Sequence, residues 1–143
     1  MKVIDQTLLE RVIIERPCHS HKGDYGRLLL LGGTYPYGGA IIMSAIAAVK
    51  SGAGLVTVGT DKENIPALHS HLPEAMAFSL QDQQLLKEQL EKAEVILLGP
   101  GLREDAFGEE LVKRVCESLR KDQILIADGG ALGILAKAHL TFP

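Results

Sequence analysis

"RLLLLGGTYPYGGAIIMSAIAAVKSGAGLVTVGT", Arg27 to Thr60, decides the fold. It opens on an aliphatic run closed by glycines (RLLLLGG, Arg27 to Gly33) and ends on a second aliphatic run (LVTVGT, Leu55 to Thr60). Between them Gly39 to Gly54 is apolar and of helical length. Two short runs apolar on both faces, joined by a segment long enough to cross back over them, specify a parallel strand-helix-strand unit. The helix is apolar nearly all round, so it should pack against the sheet and also against a neighbouring element. Gly52 is its natural stop.

The same alternation runs on through the chain. EAMAFSL (Glu74 to Leu80), EVILLGPG (Glu94 to Gly101) and QILIADGG (Gln123 to Gly130) read as further strands buried on both faces, and the closing HLTFP as a last one, giving five or six. LQDQQLLKEQLEKA (Leu80 to Ala93) sets Leu85, Leu86 and Leu90 on one helical face. REDAFGEELVKRVCESLRK (Arg103 to Lys121) has acids in its first turn and bases in its last, matching the helix dipole. TLLERVIIER, before Pro17, reads as a short opening helix that the proline ends. The expectation is one α/β domain over residues 1–143: a three-layer, mostly parallel sheet with helices on both faces.

Composition narrows the function. A 143-residue chain with 46% hydrophobic and 23% charged residues is ordinary for a globular domain. A net charge of −3 without a clustered Lys/Arg stripe gives no footprint for nucleic acid. Charges every few residues in MKVIDQTLLERVIIERP exclude a signal peptide or membrane span there, so a cytoplasmic protein with no membrane partner is expected. Cys18 and Cys116 are too few and too far apart to read as a disulfide framework.

Four strands end in small or glycine-bearing loops: GGTYPYGGA, GTDKEN, GPGLRED and DGGAL. In a parallel sheet these loops surround one crevice beyond the strands' carboxyl ends, where ligands bind. No G-x-x-x-x-G-K-[ST] or full G-x-G-x-x-G is present, so neither a P-loop nor the dinucleotide fingerprint supplies the chemistry. H-S-H occurs twice, at His19 to His21 and His69 to His71, yet with Cys18 as the sole extra ligand it falls short of a zinc set, and no metal site is expected. There is no G-x-S-x-G elbow. Asp128 is the best-placed carboxylate for a ligand or a metal-bound phosphate, with capping of the next helix as the equal alternative.

Taken together, HKGDYGRLLLLGG (21–33), GGAIIMSAIAAVKSGAGLVTVGT (38–60), LPEAM (72–76), VILLGPGL (95–102) and ILIADGGAL (124–132) resemble the NAD(P)H-hydrate dehydratases, nicotinamide-repair enzymes with a ribokinase-like fold. The resemblance runs from about residue 7 to the end. It implies a lyase that removes water from hydrated NADH or NADPH (NAD(P)HX). A nucleotide, ADP in bacterial members and ATP in eukaryotic ones, phosphorylates the ring hydroxyl, and phosphate then leaves. Mg²⁺ is expected with the nucleotide.

Carried over by position, Gly39, Ala40 and Gly101 are the expected substrate contacts, while Lys22, Gly99 and Asp128 are candidates for a phosphate or other ligand contact. Lys22 can equally brace its loop. Family members commonly read D-A-D-A-L or D-A-G-A-L where this chain reads DGGAL. They also continue past L-T-P to a G-T-G-D loop that holds the nucleotide and supplies the catalytic aspartate. The expectation is therefore the N-terminal part of such a domain, with no catalytic residue assigned and no turnover alone. It would act as a homo-oligomer or with a complementing C-terminal half. The alternatives are a ribokinase-like small-molecule kinase and a non-catalytic cofactor-binding subunit.

Overall fold

The computed structural model describes residues 4–13 and 15–138. Five strands, β1 (Arg27–Leu31), β2 (Leu55–Thr60), β3 (Met76–Ser79), β4 (Val95–Leu98) and β5 (Ile124–Ala127), form one sheet in the order β3-β2-β1-β4-β5. Every pairing is parallel. The strands end before the glycines that close the aliphatic runs, because Gly33, Gly99, Gly101 and Gly129 have positive φ and turn the chain out of the sheet. The sixth strand expected at HLTFP lies outside the described residues.

The helices are α1 (Gln6–Val12), α2 (Gly38–Lys50), α3 (Ile65–His71), α4 (Gln83–Lys92), α5 (Ala106–Ser118) and α6 (Gly130–Lys137). Short 3₁₀ turns cover Lys22–Tyr25 and Lys62–Asn64. Alternation along each strand sorts the core into two layers. Leu30, Val56 and Val58 point toward α2 and α3, where Ile41, Ala45 and Leu68 meet them. Leu29, Leu31, Phe78, Ile96 and Leu98 point the other way, against Leu86, Leu90, Leu111, Val112 and Ile134 of α4, α5 and α6. This is the expected three-layer architecture.

Four readings need correction. α3 and α6 were not expected: α3 has two turns and buries only Leu68, and α6 opens on the two glycines of DGGAL, so neither shows a long periodic signal. α1 stops at Val12 rather than running to Pro17; it buries nothing, so no packing extends it. β5 is not buried on both faces, since Ile124 and Ile126 are 60% and 49% exposed. α2 rests on the sheet through Ile41 and Ala45, but Met43 stays 67% exposed, and among the described residues no second element covers it.

Candidate functional site

The sheet order locates the site. β1, β2 and β3 step outward toward one edge, then α4 returns the chain to β4 on the other side of β1. The strand order reverses between β1 and β4, and beyond the carboxyl ends of strands at such a point lies the crevice where open α/β sheets take ligands. The loops there are Gly32 to Thr34 and Gly99 to Gly101.

They are stitched together by backbone and one hydroxyl. Gly33 N–H donates to the Pro100 carbonyl at 2.8 Å, and Thr34 N–H to the Gly101 carbonyl at 2.9 Å. The Thr34 hydroxyl donates to that same carbonyl at 3.0 Å and accepts from Arg103 N–H at 2.9 Å. Behind them the Thr60 hydroxyl, 3.1 Å away, and the Asn64 amide both donate to the Gly33 carbonyl.

Gly101 has φ +66°, and a Cβ there would lie 2.2 Å from the Tyr37 carbonyl, so only glycine lets this loop reach the entry to α2. Gly39 and Ala40 occupy the first turn of α2, just past Tyr37, so the structure brings the three expected substrate contacts to one place. Gly39 differs from its companions. It is exposed, and a Cβ on it would meet nothing within 4 Å. Its backbone is open to whatever enters.

The three looser candidates separate. Gly99 is buried, with φ +121°, and a Cβ there would sit 1.8 Å from the Asp128 carbonyl; it joins the β4 and β5 loops and does not face the crevice as an open surface. Asp128 directly follows β5, with an exposed side chain that bonds no group among the described residues. The cap of α6 is Gly129, so the capping alternative for Asp128 does not hold. Lys22 lies in the turn before β1, at the amino end of the strands, and five strand residues put it roughly 15 Å from the crevice loops. Its backbone carbonyl packs where a Cβ on Gly54 would be, a contact that does not involve the lysine side chain.

Beside the stitched loops opens a cavity of about 200 Å³ that sequence reading did not assign. Tyr35, Phe107, Asp61, Gln81, Arg103 and Asp105 are among its walls. Arg103 reaches Asp105 at 2.8 Å, and the same carboxylate accepts from Gly108 N–H at 3.0 Å as the cap of α5. One aspartate therefore starts the helix and anchors the guanidinium at the rim. Two aromatic side chains suit a flat ligand, and the Asp61 and Asp105 carboxylates stand beside the one Arg103 guanidinium, which Asp105 already pairs. Thr34 and Asn64 had no signal of their own, since each acts on a backbone group distant in sequence.

The paired histidines do not assemble. His71 bonds Ser70 and the Ala67 carbonyl, His21 pairs with Asp24 at 3.3 Å, and among the described residues no three His, Cys, Asp or Glu side chains converge. No described helix is long and apolar enough to cross a membrane.

Residues 28–142 match the family model described as NAD(P)H-hydrate dehydratase. The chain belongs to that family. Over its full 143 residues it is 80% identical to the ADP-dependent (S)-NAD(P)H-hydrate dehydratase of Streptococcus pneumoniae, and it covers 49% of that protein. A ribokinase-like superfamily protein from Enterococcus faecalis superposes with a TM-score of 0.94 at 43% identity, over 97% of this chain and 49% of the other. The ADP/ATP-dependent NAD(P)H-hydrate dehydratase of Bacillus subtilis, co-crystallised with ATP/Mg²⁺, superposes with a TM-score of 0.74 at 30% identity, over 97% of this chain and 48% of that one. The chain thus spans about half the length of the curated relatives it matches, and that half contains the β1-β4 switch point with its stitched loops.

Proposed function

We propose that the chain forms the N-terminal, substrate-side part of a single ribokinase-like domain that dehydrates NAD(P)HX with ADP or ATP as co-substrate. The observation that carries this is the 80% identity, along the whole chain, to a protein named for that reaction. The geometry supports it. Gly39, with Ala40 and Gly101 beside it, offers a floor for the hydrated nicotinamide ring, and at Gly39, where the space is open, side-chain bulk would push the ring away. Tyr35, Phe107 and Arg103 supply a neighbouring wall for the rest of the dinucleotide. Asp128, exposed at the end of β5, remains a candidate ligand contact. These residues bind and orient; the nucleotide and its Mg²⁺ supply the phosphoryl chemistry that turns a ring hydroxyl into a leaving group. Cytoplasmic location and self-association belong to the same reading.

The test is turnover of hydrated NADPH with ADP and Mg²⁺, followed by recovery of reduced-cofactor absorbance. The 143-residue chain alone should give none. Fused to the unmatched half of the S. pneumoniae relative, it should turn over many equivalents. Sustained turnover by the chain alone would overturn the division of labour, and an inactive but folded fusion would overturn the activity.

A further inference from the structure

The two loops at the switch point approach each other closely. A Cβ on Gly32 would lie 2.2 Å from the Pro100 carbonyl, and one on Gly101 would lie 3.3 Å from the Gly33 Cα. Glycine lets the two backbones touch there, and it leaves the contact without side chains of its own. Pro100, at the centre of the second loop, has no N–H to give. Thr34 is therefore the first residue past the β1 glycines with a side chain able to tie one loop to the other.

Thr34 is half-buried, and its hydroxyl works in both directions. It donates to the Gly101 carbonyl at 3.0 Å and accepts from Arg103 N–H at 2.9 Å. The Thr34 N–H donates to the same Gly101 carbonyl at 2.9 Å. Two donors on one carbonyl fix the orientation of the peptide that follows Gly101. The bond from Arg103 fixes the backbone two residues further on, from which the guanidinium reaches Asp105 at 2.8 Å. The Gly101 N–H, by contrast, has no acceptor among the described residues and is open to a ligand. Thr60 and Asn64 do a different job, since both hold the Gly33 carbonyl from behind.

We infer that Thr34 is a positioning residue for the substrate floor: its hydroxyl sets Gly101 beneath the hydrated nicotinamide and holds Arg103 at the rim of the adjoining cavity. It acts through those two residues. The inference deepens the functional reading above and rests on it. The hydroxyl is the part of the side chain that matters, because both cross-loop side-chain bonds pass through it. Valine has the same shape without the hydroxyl, so it would leave the Gly101 carbonyl held by one N–H and the Arg103 N–H released. A floor that shifts by a fraction of an ångström loses its fit to a bound ring.

The experiment titrates the full 143-residue chain with NADPH, read by the fluorescence of the reduced ring, beside urea unfolding of each variant. Thr34→Val should weaken NADPH binding about tenfold, and Thr34→Ser, which keeps the hydroxyl, should stay within about twofold of the parent chain. Gln123 supplies the control for lost stability. It is buried at the amino end of β5, opposite the crevice, and donates to the Leu90 and Ala93 carbonyls, so Gln123→Ala should unfold more easily yet bind NADPH as the parent does. A valine variant that loses stability but keeps its affinity makes Thr34 a structural residue and overturns the inference. So does equal weakening by Thr34→Ser or by Gln123→Ala, which would trace the loss to shape or to stability. A parent chain with no affinity for NADPH overturns the substrate-side reading itself, and this inference with it, before any variant is compared.

Discussion

Gly39 and Gly101 look alike in the sequence, each a glycine in a glycine-bearing loop, yet they differ in what surrounds them. Gly101 has positive φ and the Tyr37 carbonyl where its Cβ would be, so Gly101→Ala should cost on the order of 1–3 kcal/mol in urea unfolding. Gly39 has open space, so Gly39→Ala should leave stability within about 0.5 kcal/mol. Calorimetric titration with reduced cofactor should nonetheless show weaker binding, and unchanged affinity would remove Gly39 from the site. Asn64→Ala takes away the amide that holds the Gly33 carbonyl and should cost about 1–2 kcal/mol. The positions of the glycines were legible in the sequence because strand ends announce them. Their uses were not, since those depend on carbonyls brought in from other loops, as Tyr37 is to Gly101.

At the level of elements, the long periodic segments were legible and the short ones were not. α4 and α5 announce themselves by leucine and valine spacing, whereas α3 and α6 are two-turn helices specified by what they pack on. One side chain shows how such packing is fixed. Gln123, buried just before β5, donates to the carbonyls of Leu90 and Ala93, each at 2.7 Å, and accepts from Arg120 N–H at 2.9 Å. It ties the end of α4 to the start of β5. Gln123→Ala should cost about 1–3 kcal/mol by urea unfolding, because buried carbonyls lose their donor. On α5, burial and then the neighbouring Glu117 push the Cys116 thiol above its ordinary 9.0. The folded state therefore keeps this proton where the unfolded chain loses it. Stability from this source is complete below pH 9.0 and falls as the pH rises beyond it. The urea midpoint should drop above that pH, and Cys116→Ala should drop less.

Across the whole molecule, the parallel sheet and its two helical layers could be read from the alternation of runs, but the strand order could not. That order depends on α4 carrying the chain back past β1, and it decides that the Gly33 and Gly101 loops meet while Lys22 is left at the far end. It also sets β5 next to the site. The Asp128 carbonyl sits where a Cβ on Gly99 would be, and a Cβ on Gly129 would in turn lie 3.0 Å from the Gly99 carbonyl, so the end of β5 and the loop carrying Gly101 pack backbone to backbone. A methyl group at Gly99 would be driven into the Asp128 carbonyl and would part the two loops, so Gly99→Ala should cost on the order of 1–3 kcal/mol in urea unfolding.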